Sequence, residues 1–281
     1  KTFRHEVFKE YKGTRQKQPD ELYEQIPMIN DVAKDFGVDL DDLLQPFILS
    51  SDKGETPVGF GICEDQLWFE DYRRSGEGLN VTKILVQNGA EFSVNLSSSP
   101  WTFGKNTARD RRAKSLKIKS GKYSRPLFYV NCVGAQNNGK NIVTFDGGST
   151  IYNSNGEPVF FNGEAYEESL SVIDSEKVNT LEKLIREEKP RIAQKYEAIV
   201  RGIRHMADVF GLERNHHPKY IVGLSGGIDS AVVAALLTQA VGKDRILAIN
   251  MPSKYNSGRT KDSAAYVADK LGIAYEIVSI D

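Results

Sequence analysis

Six residues carry most of the chemistry legible in this chain: Ser225-Gly226-Gly227-Ile228-Asp229-Ser230. They follow the apolar run Tyr220-Ile221-Val222-Gly223-Leu224 and precede Ala231-Val232-Val233-Ala234-Ala235-Leu236-Leu237. That order predicts a strand, a tight glycine turn and a helix. The turn then lies at a helix N-terminus, where unpaired backbone N–H groups meet the positive end of the helix dipole. Adjacent glycines let the backbone approach a ligand closely. Ser225 and Ser230 add hydroxyl donors, so the turn reads as a nest for phosphate or pyrophosphate. A Walker loop is excluded, because its Gly-Lys-Ser/Thr ending is missing. Asp229 is the unusual member. A carboxylate in such a nest repels the ligand unless a cation lies between them, which points to Mg²⁺ bridging to polyphosphate. The bland alternative is an ordinary βα turn with a capping serine.

A second candidate is Cys63. It ends the apolar run Val58-Gly59-Phe60-Gly61-Ile62 and precedes Glu64-Asp65-Gln66-Leu67-Trp68. A thiol at a strand end can project into a cleft and meet electrophiles, although a lone cysteine is more often a small buried hydrophobe. A working thiolate needs a base and a nearby cation. His5 is the only histidine before His205. A Cys–His pair is therefore poorly served, and a Cys–Lys–Glu arrangement fits better. Cys132 reads as core.

These segments carry resemblances. Gly223 to Ser230 resembles the pyrophosphate loop of the N-type ATP pyrophosphatases, which activate a carboxylate or carbonyl oxygen with ATP. Gly61 to Trp68, Asn95-Leu96-Ser97-Ser98-Ser99-Pro100, Tyr129-Val130-Asn131 and Phe145-Asp146-Gly147-Gly148-Ser149 resemble nitrilase-like amidases, over most of residues 58–175. Met251-Pro252-Ser253-Lys254-Tyr255-Asn256-Ser257 and the helix-like Tyr196 to Arg204 add to the match. Together they resemble the family of glutamine-dependent NAD synthetases.

The resemblance implies a fold and a set of roles. The fold is α/β: a nitrilase-like αββα sandwich followed by a doubly wound, Rossmann-like parallel-sheet domain. Cys63 is implied as the nucleophile that forms a thioester with glutamine. Lys1 is implied as the lysine that stabilises the tetrahedral intermediate, although Lys1 to Glu10 lacks the family's Leu-Pro pair. The family's catalytic Glu would lie upstream of Lys1, and Glu6, Glu10 and Glu64 are poor substitutes. Ser99 and Lys105 fall at glutamine-binding positions; the competing reading for Lys105 is a solvated basic helix shared with Arg109, Arg111, Arg112 and Lys114.

In the second half, Gly223, Leu224, Ser225, Gly226, Gly227, Ile228, Asp229 and Ser230 would cradle ATP, with Asp229 at Mg²⁺. The backbone of Met251 would read adenine, and Lys254 and Arg259 are candidates for phosphate contact. The implied reaction is amidation of deamido-NAD to NAD through an adenylate, with release of AMP and pyrophosphate. A stand-alone nitrilase-type amidase, a different ATP pyrophosphatase amidotransferase and a non-catalytic module remain as alternatives. The implied assembly is a homo-oligomer.

The elements that position these residues are read from pattern. The 281 residues, 40% of them hydrophobic, suffice for one large domain or two smaller ones. A net charge of −1 gives no general attraction for nucleic acid or anionic membrane. Two cysteines are too few for a disulfide scaffold and fit a reducing cytoplasm. No apolar run approaches the ~20 residues of a membrane span. Helices are expected over 20–36, 76–88, 104–122 and 260–271. Strands are expected over 58–63, 91–96, 127–132, 168–173, 246–250 and 274–280. A β pair of 144–152 with 158–162 turns at Asn155-Gly156.

Residues 1–175 form the expected amidohydrolase domain, 176–215 a linking helix pair broken at Pro190, and 216–281 the ATP pyrophosphatase domain. The chain opens at Lys1 without a Met and stops at Asp281 just after a strand. The expectation is a piece of a longer polypeptide, truncated at both ends.

Overall fold

The computed structural model describes residues 37, 42, 44–52, 54–63, 66, 80–137, 141–162, 164–214, 219–254 and 258–280. Lys1 and the expected helix over 20–36 lie outside them. In chain order the elements are β1 (Phe47–Ser51), β2 (Gly54–Ile62), α1 (Val81–Gln87), β3 (Phe92–Ser97), α2 (Lys105–Ser120), β4 (Leu127–Asn131), β5 (Val133–Asn137), β6 (Ile142–Asp146), β7 (Thr150–Tyr152) and β8 (Pro158–Phe161). Then follow α3 (Arg191–Arg214), β9 (Tyr220–Gly223), α4 (Ile228–Val241), β10 (Ile246–Asn250), α5 (Gly258–Leu271) and β11 (Ala274–Ile277). No helix among the described residues is long and apolar enough to cross a membrane.

The described residues fall into two compact units. The first takes in residues up to Ser99, with Gly104–Cys132 and Gly147–Arg186. Its sheet has the order β1-β2-β3-β4-β7-β8. Strands β2, β3 and β4 run parallel. Parallel neighbours need long crossovers, and α1 and α2 lie in those two connections. One register row runs Gly61, Asn95, Tyr129, Thr150 across four strands. Asn95, Tyr129 and Thr150 are all buried. Asn80 caps α1 by accepting from Lys83 N at 2.9 Å. Helix α2 buries Arg109, Ala113, Leu116, Lys117 and Ser120, a helical stripe by spacing with two cations in it. Ala113 and Leu116 pack on Leu127, Tyr129 and Tyr152.

The second unit comprises Pro100–Phe103, Val133–Asp146 and Glu187 onward. Its parallel sheet has the order β11-β10-β9. Small residues Ala234, Ala248, Ala264 and Ala268, each 1% exposed or less, let the helices sit close to Val222, Leu224 and Ile246. The hairpin β5–β6 packs under α3, with Ile142 and Thr144 facing Gly202.

Several expectations need correction. The helix pair over 176–215 is a short 3₁₀ turn, Ser175–Thr180, an irregular stretch and one helix, α3. Pro190 does not interrupt a helix; its carbonyl accepts from Gln194 N at 3.1 Å, so it stands ahead of α3, where a missing N–H does no harm. The strand over 144–152 is two strands in different sheets, β6 with β5 and β7 with β4 and β8. Gly147 and Gly148, both at positive φ, turn the chain between them. Residues 168–173 form no strand; Leu170 and Val172 are over 90% exposed. Cys132 is half-buried rather than core, with Sγ 3.5 Å from Ser98 Oγ.

Candidate active sites

The Ser225–Ser230 turn forms where β9 ends. Leu224 N donates to Ile249 O at 2.9 Å, one step past the end of the strand. Gly226 then takes φ +84°, which L side chains rarely adopt. Gly227 caps α4 in extended geometry. Its carbonyl accepts from Ala231 N at 3.2 Å and Ser230 Oγ at 3.0 Å. Ser225 and Ser230 were expected as donors to phosphate, yet their hydroxyls lie 3.1 Å apart. Ser225 N donates to Ser230 Oγ at 3.3 Å, and Gly227 N faces Ser225 Oγ at 3.4 Å. Their first work is to shape the loop, as short hydroxyl side chains do at helix starts. Asp229 stands exposed in the first turn of α4, where a carboxylate is favoured by the dipole.

Met251 is 53% exposed just beyond β10, and its Cε lies 3.8 Å from where a Gly223 side chain would begin. The ends of β9 and β10 thus open on one place. In parallel α/β sheets that carboxyl end is where ligands bind. Buried Asn250 closes β10, donating from Nδ2 to Tyr275 Oη at 3.0 Å. Lys254 is exposed and Arg259 lies in α5. The described residues hold no cluster of three His, Cys, Asp or Glu. A single carboxylate suits Mg²⁺, which takes one or two carboxylates and completes its shell with phosphates and water.

Cys63 lies at the carboxyl end of β2 with φ +52°, one of two non-glycine residues at positive φ among the described residues. Such geometry costs roughly 1–3 kcal/mol and persists where neighbours enforce it. Here they do. Cys63 N donates to Leu96 O at 2.7 Å, and Cys63 O accepts from Asn95 Nδ2 at 2.9 Å. Asn95 Oδ1 in turn accepts from Ser97 Oγ at 2.8 Å. Gln66, wholly buried, folds its side chain back against Gly61.

Tyr129 stands next in that register row. Burial pushes its phenol up; the Arg109 guanidinium and the hydroxyls of Ser97 and Ser99 pull it down, and the Cys63 thiol adds a smaller upward push. Ser99 is 7% exposed and clasped at both ends by Asn131. Asn131 Oδ1 accepts from Ser99 N at 2.8 Å, and Nδ2 donates to Ser99 O at 3.1 Å.

The structure thus brings Cys63 and Ser99 around Tyr129. Lys105 opens α2, behind a left-handed Gly104. Arg109, which the competing reading of Lys105 put on a solvated helix face, is 1% exposed and stacks on the Tyr129 ring, its guanidinium carbon 4.8 Å from the centroid. The roles of Asn131 and Arg109 were not visible in the sequence. The one available signal was the four-residue step from Arg109 to Ala113, which places both on one helix face.

Comparison with known proteins places both regions. Residues 197–281 match the NAD synthase family. Residues 1–43, which include Lys1, match the 5'-3' exonuclease N-terminal resolvase-like domain. The chain is similar to a glutamine-dependent NAD(+) synthetase of Synechocystis sp., 34% identical over 234 residues, covering 79% of this chain and 38% of that protein. A synthetase of the same description from Xylella fastidiosa is 32% identical, covering 80% of the chain and 38% of the relative. Among solved structures, a glutamine-dependent NAD+ synthetase from Acinetobacter baumannii, in complex with ADP, matches 90% of this chain and 43% of its own, with TM-score 0.64 and 28% identity. The α/β fold expectation agrees with that match. The chain is thus similar to glutamine-dependent NAD(+) synthetases over about four fifths of its length, and it spans about two fifths of the length of the relatives it matches.

Proposed function

We propose that the chain carries parts of two coupled activities: release of ammonia from glutamine at Cys63, and ATP-driven amidation of deamido-NAD at the Ser225–Ser230 turn. The observation behind the second is the geometry of that turn: a strand, a glycine at φ +84°, an exposed helix start and a lone carboxylate. In the first half, the Cys63 thiolate attacks the glutamine carboxamide. A thioester forms, ammonia leaves, and water then releases glutamate. Ser99 and Lys105 hold the α-carboxylate and α-amine. Lys1 has no part in this proposal, since residues 1–43 match another family.

In the second half, the nicotinate carboxylate of deamido-NAD attacks the α-phosphorus of ATP and pyrophosphate leaves. Ammonia then displaces AMP from the adenylate to give the amide of NAD. Residues Gly223 to Ser230 receive the polyphosphate on backbone N–H groups, and the Met251 backbone meets adenine. Asp229 would hold Mg²⁺, which when bound neutralises charge on the departing pyrophosphate. A cytoplasmic location and a homo-oligomeric assembly complete the proposal.

The test uses this chain. Mg²⁺-dependent ATP binding is measured by calorimetry, and mass spectrometry follows covalent capture of Cys63 by 6-diazo-5-oxo-L-norleucine, a glutamine analogue. Saturable ATP binding and single-site labelling at Cys63 are expected. A chain that takes up neither reagent refutes the proposal.

A further inference from the structure

Arg109 poses a physical problem. A guanidinium taken out of water must be compensated. Only Nη1 is: it donates to Asn106 Oδ1 at 2.7 Å and faces Gly147 O at 3.5 Å. Nε and Nη2 are buried without a hydrogen-bond partner. The positive charge meets the face of Tyr129 instead, an attraction that strengthens where water is excluded. An apolar side chain of similar volume would usually be as stable at such a place. The arginine is therefore better explained by what it holds than by stability.

Two of its three contacts, Gly147 O and Tyr129, lead to Ser99. Gly147 O also accepts from Asn131 Nδ2 at 2.7 Å, and that same carboxamide clasps Ser99 N and Ser99 O. The Tyr129 hydroxyl lies among the hydroxyls of Ser97 and Ser99. Gly148 leaves the space: a Cβ there would come within 2.7 Å of both Arg109 Nη1 and Asn106 Oδ1.

We infer that Arg109 is a positioning residue for Ser99. It fixes the Gly147 carbonyl on one side and the Tyr129 ring on the other, and through them the strand end that meets the amide substrate beside Cys63. The inference rests on the proposed glutamine-binding role of Ser99.

The experiment compares Arg109→Met, Arg109→Lys and Ser99→Ala in the full chain. Three quantities are read: hydrogen exchange at the Ser99 amide, capture of Cys63 by 6-diazo-5-oxo-L-norleucine, and capture by iodoacetamide, which needs no head-group recognition. Arg109→Met should speed Ser99 exchange about tenfold, the scale of one lost hydrogen bond. It should weaken capture by the glutamine analogue about tenfold, through apparent affinity and not limiting rate, and leave iodoacetamide capture within about twofold. Arg109→Lys keeps the charge over Tyr129 and should recover part of the loss. The double variant Arg109→Met/Ser99→Ala should be no weaker than Ser99→Ala alone.

Unchanged Ser99 exchange in a folded Arg109→Met protein overturns the inference. So does an equal slowing of both reagents. If Arg109→Met does not fold, Asn106→Ala must give the same split at roughly a threefold scale, and its absence counts equally against. A Ser99→Ala protein captured as fast as the parent refutes the glutamine reading instead, while the exchange measurement still decides whether Arg109 holds Ser99.

Discussion

The Cys63 corner and the Ser225–Ser230 turn solve opposite problems. The Ser225–Ser230 turn is contiguous, exposed and built mainly from backbone. Its donors come from a helix start, and its serine hydroxyls bond within the loop. The Cys63 corner is assembled from residues far apart in the chain. Asn95 holds Cys63 from 32 residues away, and Asn131 holds Ser99 from 32 residues away. On the proposed reading, one site would receive a flexible, highly charged group that needs many N–H donors. The other must hold one thiol and one serine in fixed relation, which takes buried side-chain hydrogen bonds. A backbone site tolerates side-chain change; a clasped site does not.

The largest effect that separates the two regions is Cys63→Ala. It should abolish covalent capture of the glutamine analogue completely and leave ATP affinity unchanged, as read by mass spectrometry and calorimetry. Loss of both would show that the regions are not independent. Gly148→Ala comes next. Its φ of +69° and the contacts at 2.7 Å predict a loss of about 2–3 kcal/mol, visible as a lower urea midpoint. ATP binding should survive in the fraction that remains folded.

Asp229→Asn should weaken Mg²⁺-dependent ATP binding about tenfold, with no change in Cys63 capture. Unchanged affinity would remove the metal role from Asp229.

The smallest effect on either site concerns Lys117, wholly buried in α2 and donating to Arg125 O. Burial, and secondarily Arg125, bring it down from 10.5 to about 7. Between pH 7 and 10.5 the unfolded chain carries a proton on this lysine that the folded chain lacks. Stability should therefore rise with pH across that window. Lys117→Met should flatten the rise in denaturation curves taken at several pH values, while both binding reactions stay as they were.

Much of the scaffold was legible because it follows local rules. Strands β2, β3, β4, β9 and β10 lie where apolar runs predicted them, since β-branched and aromatic side chains suit a pleated surface. The helix after the glycine turn follows from composition alone. The strand expected at 168–173 failed because without a partner strand its backbone has no ladder. The split of 144–152 was hidden because a glycine pair inside an apolar run can mark a strand or end it. Among site residues, Cys63, Ser99 and Asp229 were singled out by their segments. Arg109 was read as solvated because five cations fall between Lys105 and Lys114, and composition cannot say which of them faces inward.

The amino-acid sequence by itself determined the Ser225–Ser230 turn, because it lies in six consecutive residues whose backbone preferences need no distant partner. It also located β2, β3, β4, β9 and β10 and the helices α1, α2, α4 and α5. Only the tertiary structure decided that Asn131 clasps Ser99, that Arg109 lies beneath Tyr129 and that Cys63 is held at positive φ. Those contacts depend on the register of β2, β3 and β4. Register is a property of paired strands, settled by the packing of α2 against the sheet, and no single stretch of chain contains it.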